Sequence, residues 1–521
     1  MRYMSLVLCW LAILIGPLQA ENVLRWASQG DSLTFDPYAQ NEGPTFTHNA
    51  QVYETLVGRD VDLAIQPSLA LSWQALGPTT WEFMLRQGVT FHDGAPFTSQ
   101  DVVFSIRRAQ HPASNYLQFV VDITDVVAVD DYTIRIETSA PVPLLPDQLS
   151  SIFMMSQDWA EAHDVVDVQN FSAGEENYAV RNANGTGPFI LELREPDIRT
   201  IMVRNPNWWG LAEENPHNID RIIFTPIGND ATRVAALLSG ELDLLIDPPL
   251  QDLARIRSVP GLTLSEVAHV RTIFFGLNQR DDELASSNIE GRNPFQDVRV
   301  RQAIYQALQI DAIQSRIMRG RSQPAGMIIA PGVNGHTAEL DTRLEYDQEA
   351  AILLMQEAGY GEGFSVTLDC PNNRYVNDEA ICQAVVAMLS RIGITVTLDA
   401  QPKSLHFPKL EERETDFYLL GWTPTTIDSG DVFDYLVRTG GSWNAGGYSN
   451  VDLDALAPRI ASELDTEVRN ALIQEAWEIM LADVAYIPLH HQVLTWGMRD
   501  HVDMPITANN IPQFRWAHLA E

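Results

Sequence analysis

A strand, a helix and a second strand follow one another between residues 364 and 400, and this order constrains the fold most. The segments FSVTLDC (364–370) and ITVTLDA (394–400) have the composition of strands. The stretch between them, about 378–392, is predicted to be a helix that ends at Gly393. Strands joined by such a helix lie parallel, with a right-handed crossover. The chain is therefore predicted to be α/β, with a mainly parallel sheet.

Ligands of such sheets bind beyond the carboxyl ends of the strands. Two loops occupy that position. CPNNRYVND (370–378) follows the first strand, and GWTPTTIDSGD (421–431) follows another predicted strand, DFYLLGW (416–422). We expect both loops to contribute to a ligand site.

Other segments predict further helices in the second half and more strands in the first. Asp297 can cap a helix over 297–310, where apolar residues recur at helical spacing. Asp311 is expected to cap the next helix, which ends at Gly320. The remaining predictions are a helix over 347–358, strands over 23–29, 133–138, 201–205 and 221–228, and a helix followed by a strand within 229–245.

The first twenty residues have the pattern of a Sec signal peptide. Arg2 precedes an apolar run over 6–15, and Ala20 is the small residue expected before a cleavage site. The run is shorter than the roughly 20 residues that span a bilayer. Cys9 lacks a small residue before it, so a lipoprotein site is not expected. We predict cleavage after Ala20 and a soluble periplasmic protein.

Length and charge narrow the possible functions. A chain of 521 residues exceeds what one core needs, so two or three domains are expected. It has 34 basic and 69 acidic residues, a net charge of −35 at pH 7. Such a surface repels nucleic acid and anionic lipid, so neither is expected as a partner.

Cys370 and Cys382 are the cysteines that remain after the signal peptide. An even count in an oxidising compartment favours a disulfide. A metal pair or a reactive thiol is the alternative, but no Cys/His cluster lies nearby in sequence. The bridge would join a strand end to the second turn of the next helix and hold the 370–378 loop in shape.

The stretch VTFHDGAPFTSQDV (89–102) places a histidine beside an acid, yet it predicts scaffolding. The His-Asp-Gly turn relies on Gly94, which can adopt positive φ. Thr98 and Asp101 then form a capping box for a helix. His92 is the one polar residue here to which the pattern assigns no structural role.

The wider pattern RQGVTFHDGAPFTSQDVVFSIRRA strongly resembles the signature of family 5 solute-binding proteins, the dipeptide-, oligopeptide- and nickel-binding components of bacterial ABC importers. Four later segments resemble the family in the same order: NGTGPFILELREPDIRTIMVRNPNWWG, NDATRVAALLSGELDLL, NPFQDVRVRQAIYQALQID and NAGGYSNVDLDAL. The resemblance covers nearly the whole mature chain.

This resemblance implies a two-lobed periplasmic binding protein fold, of the class with an extra subdomain in lobe one and a ligand cleft between the lobes. The implied parts are signal peptide 1–20, lobe one 21–270 plus 490–521 with the subdomain at about 50–165, lobe two 276–485, and hinge crossovers near 270–278 and 486–496.

The resemblance also points to residues in the 421–431 loop. In peptide-binding relatives, an acid three places beyond a Gly-Trp pair binds the α-ammonium of the ligand. Here Trp422 matches, but Thr425 stands where the acid is expected. Asp428 could serve instead if the loop is longer; otherwise the ligand lacks a free ammonium. Trp422 is expected to form an aromatic wall of the cleft, the alternative being a core tryptophan.

In the 370–378 loop, Arg374 suits a ligand carboxylate, with Tyr375 beside it. The alternative is a surface arginine paired with Asp378. The other ligand-binding candidates are Gly30 and Asp31, Gly185 and Thr186, Trp443 and Asn444, and His491 at the hinge. Ordinary turns are the alternative for both glycine pairs.

No cofactor and no metal site are predicted. His490 and His491 are adjacent on a strand and point to opposite faces, so they cannot chelate one ion. The nickel binders of the family leave metal binding as the minority alternative.

Three function classes are compared. The leading hypothesis is a monomeric, non-catalytic protein that captures a peptide or peptide-like solute by lobe closure and delivers it to an inner-membrane ABC permease and ATPase. The solute could instead be an opine-like or sugar conjugate, an oligosaccharide or a nickel chelate. An exported hydrolase is disfavoured because neither G-x-S-x-G nor H-E-x-x-H occurs. A sensor or chaperone on the same fold is the third possibility.

Overall fold

The structure is a computed structural model that describes residues 21–213 and 215–520. The predicted signal peptide, residues 1–20, lies outside the described residues. Within them, no helix has the length and apolar character needed to cross a membrane.

The helices alternate with strands along the chain. The helices are α1 Gly43–Val52, α2 Ser99–Ala109, α3 Leu145–Leu149, α4 Gln157–Ala162, α5 Asp230–Ser239, α6 Leu253–Arg257, α7 Val298–Ala307, α8 Ile310–Ala312, α9 Gln348–Glu357, α10 Asp378–Leu389, α11 Lys403–Glu411, α12 Ser429–Val432, α13 Val451–Ser462 and α14 Thr466–Ala482. The strands are β1 Val23–Ala27, β2 Val57–Arg59, β3 Ile65–Pro67, β4 Ala70–Gly77, β5 Thr80–Leu85, β6 Ile123–Asp130, β7 Thr133–Thr138, β8 Phe189–Glu195, β9 Arg199–Arg204, β10 Arg221–Phe224, β11 Leu244–Ile246, β12 Leu262–Leu277, β13 Ser322–Pro324, β14 Phe364–Pro371, β15 Ile394–Gln401, β16 Phe417–Trp422, β17 Ile487–Arg499, β18 Val502–Asp503 and β19 His518–Leu519.

One sheet runs through the whole molecule, in the order β15-β14-β16-β12-β17-β11-β1-β10-β9-β8, with β13 against β17. Strands β14 and β15 are parallel, with Phe364 opposite Ile394. The parallel strand–helix–strand unit predicted from the sequence is therefore confirmed. The prediction of a mainly parallel sheet is wrong, because four of the strand pairings in this sheet are parallel and six are antiparallel. The long strands β12 and β17 pair antiparallel at the centre, and the first-half and second-half strands lie on opposite sides of them.

Separate cores lie on the two sides of these central strands. Helices α7, α9 and α10 pack on β14–β16 around one core, and α13 and α14 contribute to another. On the other side, β4–β7 form a four-stranded sheet whose core includes residues of α2. The arrangement is the predicted two-lobed α/β fold; the exact lobe and subdomain boundaries stay predictions.

The pairing of β12 with β17 shifts register twice near the middle, the wider shift lying between Ala268 and Thr272 and the other between Ile273 and Phe274. Partners run regularly as far as Ala268, opposite Val493, and the register shifts before it resumes with Thr272 opposite His491. Between them, the Val270 amide donates to the Ala508 carbonyl, at 3.0 Å. This interruption lies at the edge of the predicted hinge segment, 270–278, where loss of ladder hydrogen bonds lets two strands bend together.

Helix starts follow the expected caps with one exception. The Asp297 carboxylate accepts from the Arg299 amide at 2.9 Å and begins α7, as predicted. Asp311 does not cap the next helix: α8 begins at Ile310 with Gln309 at its N-cap, so Asp311 lies inside the first turn. The chain then continues as a π-helix over 313–317 before Gly320 adopts φ of +79°.

The 89–102 stretch is scaffolding, as predicted. The Asp101 carboxylate accepts from the Thr98 amide at 2.9 Å, and Gly94 has φ of +90°. His92 also has a structural role that the sequence did not indicate. Its ring contacts the Gly187 carbonyl at 3.1 Å and the Gly185 amide at 3.4 Å, and so joins this turn to the 185–187 loop.

Candidate functional site

A cavity of about 530 Å³ lies between the two lobes and is the candidate ligand site. It is bordered by the end of α1, by β2, by the loops after β14 and β16, and by the C-terminal segment. Its lining includes Glu42, Phe46, Tyr53, Glu54, Arg59, Phe153, Arg271, Arg374, Thr423, Pro424, Thr425, Ile427, Arg515 and Trp516. The wall thus combines aromatic rings with four guanidinium groups.

Two arginines form the lobe-two side of the cavity. Arg271 lies on β12 at the interrupted register, and its Nε donates to the Thr423 hydroxyl at 3.1 Å. Arg374 follows β14, as predicted, and its guanidinium lies 5.2 Å from the centre of the Tyr375 ring. Burial, together with the charge of Arg374, lowers the pKa of Arg271 to about 10. The Arg271 side chain therefore stays cationic at neutral pH.

These two arginines have no acidic partner in the residues 21–213 and 215–520. No carboxylate there forms an ion pair with Arg271 or Arg374, and the amide of Arg374, not its side chain, bonds to Asp378. The charge of Asp247 acts on Arg271 without forming an ion pair with it. Partly buried cations that lack an ion-pair partner favour an anion between them, because a charge in a desolvated site is costly unless it is paired. The alternative pairing of Arg374 with the Asp378 carboxylate does not occur.

Lobe one contributes two further arginines. Arg59 pairs with Asp147 at 3.1 Å and also donates to the Thr426 carbonyl across the cleft, at 3.4 Å. Arg515 donates to the Arg59 carbonyl at 3.3 Å, and burial lowers the pKa of Arg515. Arg59 therefore already has a counter-charge, whereas no ion pair of Arg515 occurs in the described part of the chain.

Glu54, an acid that lines the cavity, is engaged by the protein. Its carboxylate accepts hydrogen bonds from Thr186, Trp208 and Trp209 at 2.8 to 3.0 Å, and burial raises its pKa. Thr186 is consequently a buried support for Glu54 and does not line the cavity. Gly185 is needed for close backbone packing, since a Cβ there would lie 2.0 Å from the Val52 carbonyl oxygen.

The expected ammonium partner in the loop after β16 is also absent from the cavity. Thr425 lines it, but the Thr425 hydroxyl donates to Asp431 at 2.5 Å, and Trp422 Nε1 donates to the same carboxylate at 2.7 Å. Asp428 is buried in a two-bond pair with Arg469, at 2.6 and 2.8 Å. Asp428 therefore does not face the cavity, and the hypothesis that it replaces the acid expected at Thr425 does not fit the structure.

Most of the other sequence candidates lie outside the cavity lining. Trp422 and Trp443 stack edge to face with centres 5.9 Å apart, and Asn444 bonds to backbone around it. Tyr375 is buried, and its hydroxyl donates to the Gly421 carbonyl at 3.2 Å. These four side chains support the loops around the cavity instead of lining it.

The lobe-one and hinge candidates have structural partners too. Asp31 pairs with Arg194 at 2.8 Å, and the Gly30 carbonyl accepts from Ser28, so this turn is held by the protein. The ring of His491 is fully buried, with Thr272 at 2.8 Å and Asp341 at 3.1 Å. None of the three expected residues lines the cavity.

Of the sequence candidates, the structure therefore brings together Arg374 and Thr425. Sequence reasoning missed Arg271, Arg515 and the aromatic wall formed by residues of α1 and the C-terminal segment. Arg271 could have been found, because it is a charged residue inside the apolar crossover segment VRTIFFGLN (270–278).

The expected disulfide is present. Cys370 at the end of β14 is joined to Cys382 in α10, with their Cα atoms 6.6 Å apart. The bridge closes the segment that carries Arg374, and the Asp378 carboxylate accepts from the Arg374 and Tyr375 amides within it.

The family model for bacterial extracellular solute-binding proteins, family 5, matches residues 64–444. The chain belongs to this family. Its relatives include heme-binding protein A of Haemophilus influenzae, 26% identical over 91% of this chain and 88% of the relative, and the dipeptide-binding protein of Escherichia coli, 25% identical over 96% and 95%. The structure of HbpA2 from Haemophilus parasuis covers 96% of this chain and 100% of its own, with a TM-score of 0.84 and 23% identity.

Membership of family 5 agrees with the geometry. Members of this family are extracellular solute-binding proteins, and the cavity lies between the two lobes, where a bound solute contacts both. The family assignment and the two-lobed α/β fold predicted from the sequence are thus confirmed.

Proposed function

We propose that this protein is the periplasmic binding component of an ABC importer and captures a peptide or peptide-like carboxylate. The observation that supports the proposal is the pair Arg271 and Arg374 on the lobe-two side of the interlobe cavity, neither of which forms an ion pair with a carboxylate of the described residues. A ligand carboxylate would bind there by charge-assisted hydrogen bonds. Binding is non-catalytic, and closure delivers the solute to a permease and its ATPase.

A second observation favours a ligand without a free ammonium group. Glu54, Asp428 and Asp431 are each bonded to groups of the protein itself. The lining acids Glu42 and Asp60 accept from backbone amides of their own turns. An amine placed there would have to compete with these hydrogen bonds for a carboxylate partner. N-blocked peptides and opine-like conjugates fit this cavity better than free dipeptides, and the aromatic wall would contact their apolar parts.

The relatives bind chemically varied solutes by name, including heme, dipeptides and, for a Salmonella relative, glutathione. Each of these solutes carries a carboxylate, so the names agree with a carboxylate-bearing ligand of any of these classes. The amino-terminal Sec pattern and the family support export to the periplasm, with the protein acting as a monomer.

Titration calorimetry with three forms of one dipeptide tests the proposal: free, N-acetylated, and N-acetylated with a carboxyl-terminal amide. We expect the N-acetylated acid to bind most tightly and amidation to abolish binding. In R271Q and R374Q, affinity should fall about 10- to 100-fold, since a hydrogen bond to a charged group contributes about 1.5–3 kcal/mol. R299Q, a surface change far from the cavity, is the matched control. Equal affinity for acid and amide would exclude carboxylate recognition.

A further inference from the structure

A second cluster of polar side chains lies behind the cavity, at the hinge. His336 and Asp341 belong to the loop between β13 and α9, and His491 lies on β17. The Nε2 atoms of both histidines are 3.1 Å from Asp341 Oδ2. All three potential ligand atoms lie within 4.8 Å of one another.

These separations are close to those of a tetrahedral metal centre. With bonds of about 2.0–2.1 Å to zinc, tetrahedral geometry places ligand atoms roughly 3.3 Å apart. The two nitrogen–oxygen separations already have nearly this length. The nitrogen–nitrogen separation has to shorten by at most about 1.5 Å, and His336 is the partly exposed member, on a loop, that can make this adjustment.

The atoms behind the three side chains fix their orientation. Asp341 Oδ1 accepts from the Gly326 and Met327 amides, at 2.6 and 2.8 Å. His491 Nδ1 lies 2.8 Å from the Thr272 hydroxyl. Metal-bound histidines usually bond through their second ring nitrogen to such a partner, which fixes the tautomer and the ring plane.

The Thr272 hydroxyl is compatible with both protonation patterns of His491. Without metal, Nε2 donates its proton to Asp341 and Nδ1 accepts from Thr272. With metal on Nε2, the ring carries its proton on Nδ1 and donates it to Thr272, whose oxygen then accepts. The buried histidine therefore keeps a hydrogen bond in either state.

We propose that His336, Asp341 and His491 form a binding site for a zinc-type divalent cation, with a fourth position for water. Two imidazoles and one carboxylate suit zinc and its transition-metal neighbours better than magnesium or calcium, which favour oxygen ligands. No metal site was predicted from the sequence, because His490 is the only histidine next to His491 in the chain. In the structure, His491 lies beside a loop about 150 positions earlier in the chain.

The location gives the site a mechanical role. Thr272 and His491 are the first pair after the interrupted register of β12 and β17. A metal would thus attach the 336–341 loop of lobe two to the crossover strands beside the register shift. None of the three ligands lines the interlobe cavity, so the site is separate from solute capture.

Calorimetric titration of the chelator-treated mature protein with zinc chloride tests this site. We expect one zinc per chain in the wild type. In H336Q, affinity should fall at least about 10-fold, the lower limit seen even for partners of metal ligands. H501Q is the matched control, because His501 faces Asp243 at 3.4 Å without a second histidine. It should bind zinc as the wild type does.

Cobalt provides a readout of geometry that a hydrogen-bonded cluster alone would not give. Tetrahedral Co²⁺ should produce intense visible d–d absorption in the wild type and H501Q but not in H336Q. H336Q changes a partly exposed side chain, and its unfolding temperature without metal should match the wild type. Absence of stoichiometric zinc binding in the wild type, or equal zinc binding in H336Q, would overturn the proposal.

Discussion

At the scale of single residues, His48 makes stability depend on pH. It lies on α1 with 1% of its surface exposed, against the rings of Trp26 and Phe224. Its Nδ1 contacts the Pro44 carbonyl at 2.8 Å, while Nε2 has no partner in the described residues. Burial lowers the pKa of His48 from 6.5 to about 4. The folded protein therefore keeps this ring neutral under conditions where an unfolded chain would protonate it.

Because the folded pKa lies below the unfolded value, stability is lost as the pH falls from about 6.5 towards 4. Replacing His48 with leucine removes this contribution to the pH dependence of the unfolding free energy. Relative to H48L, the wild type should lose up to about 2 kcal/mol of unfolding free energy between pH 7 and pH 5. Urea titrations of both proteins at the two pH values measure the difference. A constant difference would show that His48 is not neutral in the fold.

Single-residue roles were the part least predictable from the sequence. Asp428 looked available for a ligand, but its partner Arg469 is 41 positions away and its ion pair exists only after α14 packs on the loop. Thr186 looked ligand-facing for the same reason. Its hydrogen-bond partner Glu54 is 132 positions earlier in the chain, so the contact is not visible in sequence. Arg374 was predictable, because strand ends of parallel sheets form ligand sites whatever the partner residues are.

At the scale of elements, the loop between β14 and α10 depends on its disulfide. Removing the bridge with C370A/C382A should lower the unfolding free energy by roughly 3 kcal/mol, as expected for a closed loop of this length. It should also increase amide hydrogen exchange in residues 371–377, which carry Arg374. Hydrogen-exchange mass spectrometry of the variant against the wild type measures this local effect, and β16 should stay protected as an internal control.

Reductant provides a further control, because it should not change the variant. If the variant loses stability without faster exchange at 371–377, the bridge stabilises the lobe but does not order the loop. The Asp378 carboxylate, which accepts from two amides of the loop, would then be the main local restraint.

The elements themselves were largely predictable, because caps and periodicity act locally. Helix α9 follows the N-cap Asp347, where the predicted helix begins, and the chain turns at Gly359. Strand β14, α10 and β15 follow in the expected order. The exception, Asp311, lies where the short α8 joins a π-helix, and the cap residue Gln309 gives no cap signal in sequence. The register interruption in β12 has no sequence signal either, since it depends on pairing with β17.

At the scale of the whole molecule, the continuous sheet limits how the lobes move. Strands β12 and β17 lie at its centre, and the wider of their two register shifts falls between Ala268 and Thr272, beside Arg271. The same short segment therefore provides both an irregularity in the central strand pairing and a cation that lines the cavity. A solute carboxylate that binds Arg271 and Arg374 would connect the hinge strand to the lobe-two loop and favour closure.

Closure should be visible as a more compact molecule in solution. Small-angle X-ray scattering of the mature protein should give a smaller radius of gyration with saturating solute than without it. The bound value should approach about 23 Å, the value for a compact chain of about 500 residues. The R271Q/R374Q double variant, measured at the same solute concentration, should keep the larger value because it lacks the cations that bind the carboxylate. If the wild type binds solute with no change in radius, capture occurs without lobe closure.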